Sequence, residues 1–345
     1  MKISYKKYAL ELKHQFTIAY SSRKTTPVVL IKIEHNGFTG YGEASLPPYL
    51  PETQDSVIEF LKNVAKKNYE DISNLPQLLR EVDEIASNNT AAKAAIDIAL
   101  HDLAGKINHK PCYKYLNISK SILPSTSFTI GIDEPEIMKK KIREAEQFKI
   151  LKVKLGTEQD EKIIKLIREE TDKPLYVDIN QGWKDFRYAV NMSNWLHQQN
   201  VLLIEQPFNK NDLESSARLT EKSSIPIIAD ESMQRLSDLE KIKNSFTGIN
   251  IKLMKCTGMN ETDKIIKVAR QHGLKIMLGC MTETSCAISA AIQFASLVDY
   301  ADLDGNLLIT NDPFKGKTIE EGILQTSDKD GLGIELKEKI DFTEL

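Results

Sequence analysis

From residue 124 onward, short apolar runs alternate with stretches whose apolar residues recur every three or four positions. The runs are TSFTIGI, ILKVKLG, PLYVDIN, VLLIEQP, IPIIADES, GINIKLM, LKIMLGC and SLVDYADLDG. Runs this short, bounded by turn residues, read as buried strands; the stretches at 157–170, 185–198 and 260–272 read as amphipathic helices. Eight strands alternating with helices predict an α/β protein with a (β/α)8-type barrel over residues 124–304. That span is short against the ~250 residues typical of the fold, so the helices must be lean.

The first 123 residues have a different rhythm. The stretch TPVVLIKIEHNGFTGYGEA alternates, turns at Asn36-Gly37 and alternates again, which predicts a β-hairpin. Helical patterns follow at 53–68, 75–86 and 90–106. Residues 1–123 therefore form an α+β domain. Residues 305–345 carry turn signals at 311–314 and 330–331 and are expected to return to it. A doubly wound open sheet is the competing fold. It needs a Gly-rich phosphate loop after its first strand, and TIGIDEPE is not one.

Net charge is −3, with 28% charged residues. Such a balance gives no electrostatic footprint for nucleic acid or an anionic membrane, and neither partner is expected. The four cysteines, 112, 256, 280 and 286, match no zinc spacing. The first residues, MKISYKKYALELKHQF, are broken by charges and lack the apolar run of a secretory leader. No stretch reaches the length of a membrane-spanning helix. A cytoplasmic location and assembly with copies of itself are expected.

Catalytic groups of a barrel sit at the C-terminal ends of its strands. Three consecutive strands end in one carboxylate each: Asp178, Glu205 and Asp230, spaced 27 and 25 residues apart. Three carboxylates aimed at one point repel unless a hard divalent cation sits between them. Oxygen ligands with no His or Cys favour Mg²⁺ over Zn²⁺. Flanking this acidic arc are Lys154 on the second strand and Lys252 on the sixth. Amines on two sides of a substrate suit removing a proton from one face of a carbon and returning it to the other. Lys152 shares a strand face with Lys154. Together with the metal it is expected to depress the pKa of Lys154 and to bond a substrate carboxylate. The bland readings are a solvated Lys-x-Lys face, and helix N-caps at Asp178 and Asp230.

Taken together, Lys152-Val153-Lys154, VDINQGW, IEQP, IADES and NIKLMK resemble the muconate lactonizing enzyme subgroup of the enolase superfamily. The resemblance spans essentially the whole chain, and GFTGYGEA is similar to part of that family's capping domain. It implies a (β/α)7β TIM-like barrel, one Mg²⁺ held by Asp178, Glu205 and Asp230, and abstraction of a proton α to a carboxylate.

Within the subgroup, Asp302 and Asp304 in DYADLDG resemble the motif with which dipeptide epimerases hold the substrate's α-ammonium group. Asp304-Gly305 also fits a plain turn. The expected activity is epimerisation of the second residue of an L-Ala-L-Xaa dipeptide through an enolate. L-Ala-D/L-Glu epimerase, N-succinylamino acid racemase and o-succinylbenzoate synthase are the alternatives, and a non-catalytic small-molecule binder is the alternative of another class. Family members acting on L-Ala-D/L-Glu use an arginine in the first capping loop. Here that loop is FTIAYSSRKTTP (16–27), the resemblance places Tyr20 or Ser21 at the arginine's position, and Arg23 falls on another phase. An apolar Xaa is therefore expected. SLPPYLPET (45–53) is a second lid segment, and Thr129 and Met281 are further pocket candidates. Asn180 is expected to support Asp178. Glu231 is expected either to orient a lysine or to start a helix. Glu283 either faces the site or caps a helix, and Lys255 is read as support.

Overall fold

The structure, a computed structural model, describes residues 1–18, 21–67, 69, 71–121 and 123–345. Tyr20, a candidate for the specificity loop, lies outside the described residues.

Strands β1 (Lys2–Ile18), β2 (Ser21–His35) and β3 (Phe38–Ser45) pair antiparallel in sequence order. Asn36 and Gly37 make the β2–β3 turn with φ of 48° and 81°. Asn-Gly adopts this left-handed pair at little cost. Helices α1 (Gln54–Ala65), α2 (Leu75–Asp83) and α3 (Thr90–Ile107) follow, then a single turn, α4 (Cys112–Tyr115). Helix α3 lies directly on β3. A Cβ on Gly40 would meet Ala99 O at 2.0 Å, and one on Gly42 would meet Ala95 O at 1.9 Å. Only glycine permits that approach.

Residues 16–18 and 21–27, expected as part of a loop, form the far arm of the β1–β2 hairpin, paired as far as Ile18 opposite Ser21. The charges of β1 mask its alternation, yet it is a 17-residue strand.

The remainder is a (β/α)7β barrel. Its strands are β4 (Ser127–Ile130), β5 (Ile150–Lys154), β6 (Leu175–Asp178), β7 (Val201–Glu205), β8 (Ile227–Ala229), β9 (Gly248–Ile251), β10 (Lys275–Gly279) and β11 (Tyr300–Asp302). They form one parallel sheet in sequence order. Helices α5 (Pro135–Glu144), α6 (Asp160–Glu170), α7 (Phe186–Gln198), α8 (Leu213–Lys222), α9 (Leu236–Ile242), α10 (Met259–Gln271) and α11 (Ser285–Ile292) connect them. They are lean, as the short span requires; α9 has seven residues.

Side chains lead up the inside of the barrel by twos. Tyr176, Leu203, Ile228 and Met277 form an apolar floor, with Ile150 and Tyr300 against it. One period further up each strand come Lys152, Asp178, Glu205, Asp230 and Asp302. The register contains one irregularity. Leu175 pairs with Val201, but Tyr176 pairs with Leu203, so Leu202 is an extra residue in β7. This bulge turns Leu202 outward, where it is 37% exposed. It also places Glu205 beside Asp178 rather than on the outer face.

Strands β4 and β11 close the barrel through one bridge, Thr126 to Ala301. Side chains complete the seam: Ser127 Oγ donates to Asp302 Oδ1 at 2.7 Å, and Thr129 N to Asp304 Oδ2 at 2.6 Å. The chain then returns to the first sheet. Strands β12 (Phe314–Lys315) and β15 (Glu335–Leu336) pair, as do β13 (Ile319–Glu320) and β14 (Ile323–Leu324). Finally β16 (Thr343–Glu344) adds to the edge of β1. Among the described residues, no helix is long and apolar enough to cross a membrane.

Candidate active site

The C-terminal mouth of the barrel and the N-terminal sheet enclose a cavity of about 280 Å³. From the barrel come Thr129, Lys152, Lys154, Asn180, Asp230, Glu231, Lys252, Met281, Asp302 and Asp304. Phe16, Arg23, Tyr49, Leu50 and Pro51 cover it. The three lysines, Asn180, Glu231 and the pocket candidates Thr129, Met281, Asp302 and Asp304 are thus together at one mouth. Asp178 and Glu205 lie just beneath, both fully buried.

Asp178, Glu205 and Asp230 each bring a carboxylate oxygen within 4.8 Å of the others. Three buried oxygen donors so close form a set fitted to a hard divalent cation. Lysines balance them. Lys154 Nζ lies 2.6 Å from Asp178 Oδ2, and Lys252 Nζ lies 2.7 Å from Asp230 Oδ2. Lys152 Nζ reaches Glu205 Oε2 at 2.6 Å, Asp302 Oδ2 at 2.8 Å and Asp178 Oδ2 at 3.2 Å. The like charges of β5 thus share Asp178 between them. Neither Asp178 nor Asp230 caps a helix.

Burial works to lower the pKa of Lys152, but the carboxylates of Asp302, Glu205 and Asp178 outweigh it and hold the value well above the ordinary one. Lys252 follows the same pattern, with Asp230 and Glu205 as the main counterweights to burial. Burial alone would raise Asp178; Lys154 and Lys152 reverse that and bring it down to about 2. Glu205 moves the other way, raised by burial and by Asp178. Burial followed by Asp302 lifts Asp304 to about 7.

Further contacts position these carboxylates; those of Asn180 and Lys255 were expected, those of Asn250 and Gln206 were not. Asn250 Nδ2 donates to Glu205 Oε1 at 2.8 Å. Gln206 takes a left-handed φ of 40°, and its Oε1 accepts from Asp230 N at 2.9 Å. Asn180, with φ of 46°, donates its main-chain N–H to Asp178 Oδ1 at 3.0 Å. Lys255 is buried against Asp230. Glu283 neither lines the cavity nor caps α11; its Oε1 accepts from Met281 N at 3.0 Å. The N-cap of α11 is Thr284, whose main-chain N–H donates to Glu43 Oε1 of β3 at 2.9 Å.

The structure corrects the expectation for Arg23. It pairs with Phe16 across the hairpin, its guanidinium lies 4.9 Å from the centre of that ring, and Nη2 donates to Thr282 Oγ1 at 3.2 Å. Arg23 therefore stands in the cavity wall. The residue sits in β2, which begins at Ser21, within the stretch expected as a loop.

A parallel barrel with an acidic triad and facing lysines at its mouth, closed by an α+β cap, defines a metal-assisted enzyme acting on an acidic carbon. Comparison with known proteins agrees. Residues 137–340 match the model for the enolase C-terminal domain-like family. Residues 4–116 match that for the mandelate racemase/muconate lactonizing enzyme N-terminal domain. The chain belongs to this family of the enolase superfamily.

An L-Ala-D/L-Glu epimerase of Bacteroides thetaiotaomicron is 52% identical over 97% of this chain and 88% of its own length. A dipeptide epimerase from Cytophaga hutchinsonii, solved with Mg and D-Ala-L-Val, superposes with a TM-score of 0.92 at 27% identity, covering 100% of this chain and 98% of that one. The N-succinyl Arg/Lys racemase of Bacillus cereus superposes with a TM-score of 0.93 at 27% identity, covering 100% and 99%.

Proposed function

We propose that this protein is a Mg²⁺-dependent dipeptide epimerase that inverts the second residue of an L-Ala-L-Xaa dipeptide. Supporting this reading is the placement of Lys154 and Lys252 on opposite sides of the acidic triad, each paired to a different carboxylate of it.

The substrate's carboxylate lies over the triad, within reach of Lys152. Mg²⁺ held by Asp178, Glu205 and Asp230 supplies positive charge that acidifies the neighbouring C–H bond. One of Lys154 and Lys252, in its neutral form, takes the α-proton. Charge that develops on the carboxylate oxygens is met by the Lys152 ammonium, already fixed in place and shielded from water. The other lysine, protonated, delivers a proton to the opposite face. The two exchange roles with substrate chirality. Asp302 and Asp304 hold the α-ammonium group of the first residue. An N-succinyl substrate has no such cation, and two carboxylates there disfavour it.

Arg23 supports an acidic Xaa. It is the charged side chain that the cap contributes to the cavity, among Phe16, Tyr49, Leu50 and Pro51. A side-chain carboxylate gains a charge-assisted hydrogen bond there. The identity with an L-Ala-D/L-Glu epimerase points the same way. The apolar rest of the wall favours the alternative, an apolar Xaa.

The test is proton NMR in D₂O with Mg²⁺ and a panel of L-Ala-L-Xaa dipeptides. Deuterium entering the second α-carbon, with the epimer growing in and L-Ala-L-Glu the best substrate, is the expected result. Exchange confined to N-succinyl amino acids would sink it.

A further inference from the structure

The distal part of β1 leaves the register of its hairpin. Glu11 pairs with Thr25 and Phe16 with Arg23, so Leu12 to Gln15 stand opposite Lys24 alone. The displaced residues arch over the first strand and helix of the barrel. Both ends of the arch are tied down: Lys13 N donates to Leu308 O at 2.9 Å, and Ile132 N to Thr17 O at 3.1 Å. Bulges of this kind gather beside active sites, where they re-aim side chains.

Beneath the arch is a second cavity, of about 610 Å³. Its floor is apolar: the rings of Phe128 and Phe148 lie 4.8 Å apart, and Leu12 and Leu307 join them. Its outer rim is polar, where His14 Nε2 meets Glu144 Oε2 at 2.7 Å. Phe16, Thr129 and Leu308 line this cavity and the active site alike. They are the partition between the two. The main-chain N of Thr129 is also the donor to Asp304. The partition therefore stands beside the carboxylates assigned to the substrate's ammonium group.

We propose that this second cavity is a closed-off side-chain pocket for the first residue of the dipeptide, and that Phe16 and Leu308 restrict that residue to the size of alanine. The proposal rests on the dipeptide reading. The α-carbon of the first residue is bonded to the ammonium nitrogen, so its side chain begins next to Thr129 and the partition. A methyl group stops short of Phe16. A leucyl or phenylalanyl side chain needs the space behind it, which is roomy, apolar and already formed. Phe16 is thus a specificity-determining residue through its bulk, and the ligand class the pocket would accept is a large apolar side chain.

Phe16→Ala and Leu308→Ala, made separately, test this. The reading is the ratio of kcat/KM for L-Leu-L-Xaa and L-Phe-L-Xaa to that for L-Ala-L-Xaa, with Xaa the preferred second residue. Taking a ratio cancels any effect of Phe16 on the neighbouring Lys154. The ratio should rise roughly tenfold or more in each variant, as expected for newly buried apolar groups. Adding Gln147→Trp, which fills the second cavity from its far side, should return it toward the wild-type value. An unchanged ratio in both variants, with thermal unfolding showing them folded, overturns the proposal. So does a wild-type enzyme that takes L-Leu-L-Xaa as readily as L-Ala-L-Xaa. A wild type inert on all dipeptides overturns the dipeptide reading, and the proposal with it.

Discussion

Lys255 Nζ donates to Asp230 twice, to Oδ1 at 2.5 Å and to the main-chain O at 2.7 Å. A third bond, to Asn250 O at 3.0 Å, completes the ammonium's donors. The lysine thereby welds the ends of β8 and β9 and fixes which oxygen of Asp230 is turned toward the triad. Lys255→Met keeps the bulk and removes the bonds. Loss of such an outer partner weakens metal binding by about 10- to 100-fold. Isothermal titration of Mg²⁺ into the variant should show a drop of that size, and an unchanged affinity would mean that Asp230 is held by Lys252 and Gln206 alone.

Lys154→Ala and Lys252→Ala should each lower the epimerisation rate by at least about 10²- to 10⁴-fold, the usual contribution of a positioned acid or base. In D₂O, each variant should still exchange the α-proton of one epimer, and the two variants should differ in which. Chelation of the metal by EDTA should stop exchange in all three proteins, with recovery on adding Mg²⁺.

Arg23→Met tests the second-residue pocket. Removing a charge-assisted hydrogen bond costs about 1.5–3 kcal/mol, so kcat/KM for L-Ala-L-Glu should fall by roughly 10- to 150-fold. L-Ala-L-Leu should be nearly unaffected or improve. Equal losses on both substrates would make Arg23 a prop for Thr282 rather than a determinant of specificity.

Glu43 ties the cap to the barrel. Its carboxylate is fully buried and accepts from Thr284 N at 2.9 Å and Thr284 Oγ1 at 2.5 Å. Burial, and then Glu283, raise its pKa from 4.5 to about 8. The folded protein therefore binds a proton here that the unfolded chain releases near pH 4.5. The resulting stabilisation is complete below pH 4.5 and is lost as pH rises through about 8. Thermal unfolding between pH 5 and 8.5 should show the midpoint falling with pH, and Glu43→Gln should flatten that slope. A slope identical in the variant would assign the dependence to other buried acids, Asp304 among them.

The barrel and its acidic arc were legible in the sequence because both follow periods. Strands recur with the strand–helix unit, and each places its last polar residue at the same end. What was not legible lies where a period is broken or a contact crosses the chain. Arg23 reaches the cavity from β2, which begins at Ser21 inside a stretch whose polar composition reads as a loop. Asn250 bonds the Glu205 carboxylate from two strands away, and Gln206 the main-chain N–H of Asp230 beyond the next strand, at 45 and 24 residues' separation. Leu308 comes from a tail with no pattern of its own. β1 was hidden by its lysines.

The extra residue in β7 carries a consequence for how this chain can change. Leu202 is the residue the ladder leaves over: a chain lacking it would pair Val201 and Leu203 with Leu175 and Tyr176 in regular alternation and keep Glu205 beside Asp178. The bulge is thus a reserve of length, able to give up one residue without turning the carboxylate away from the metal site.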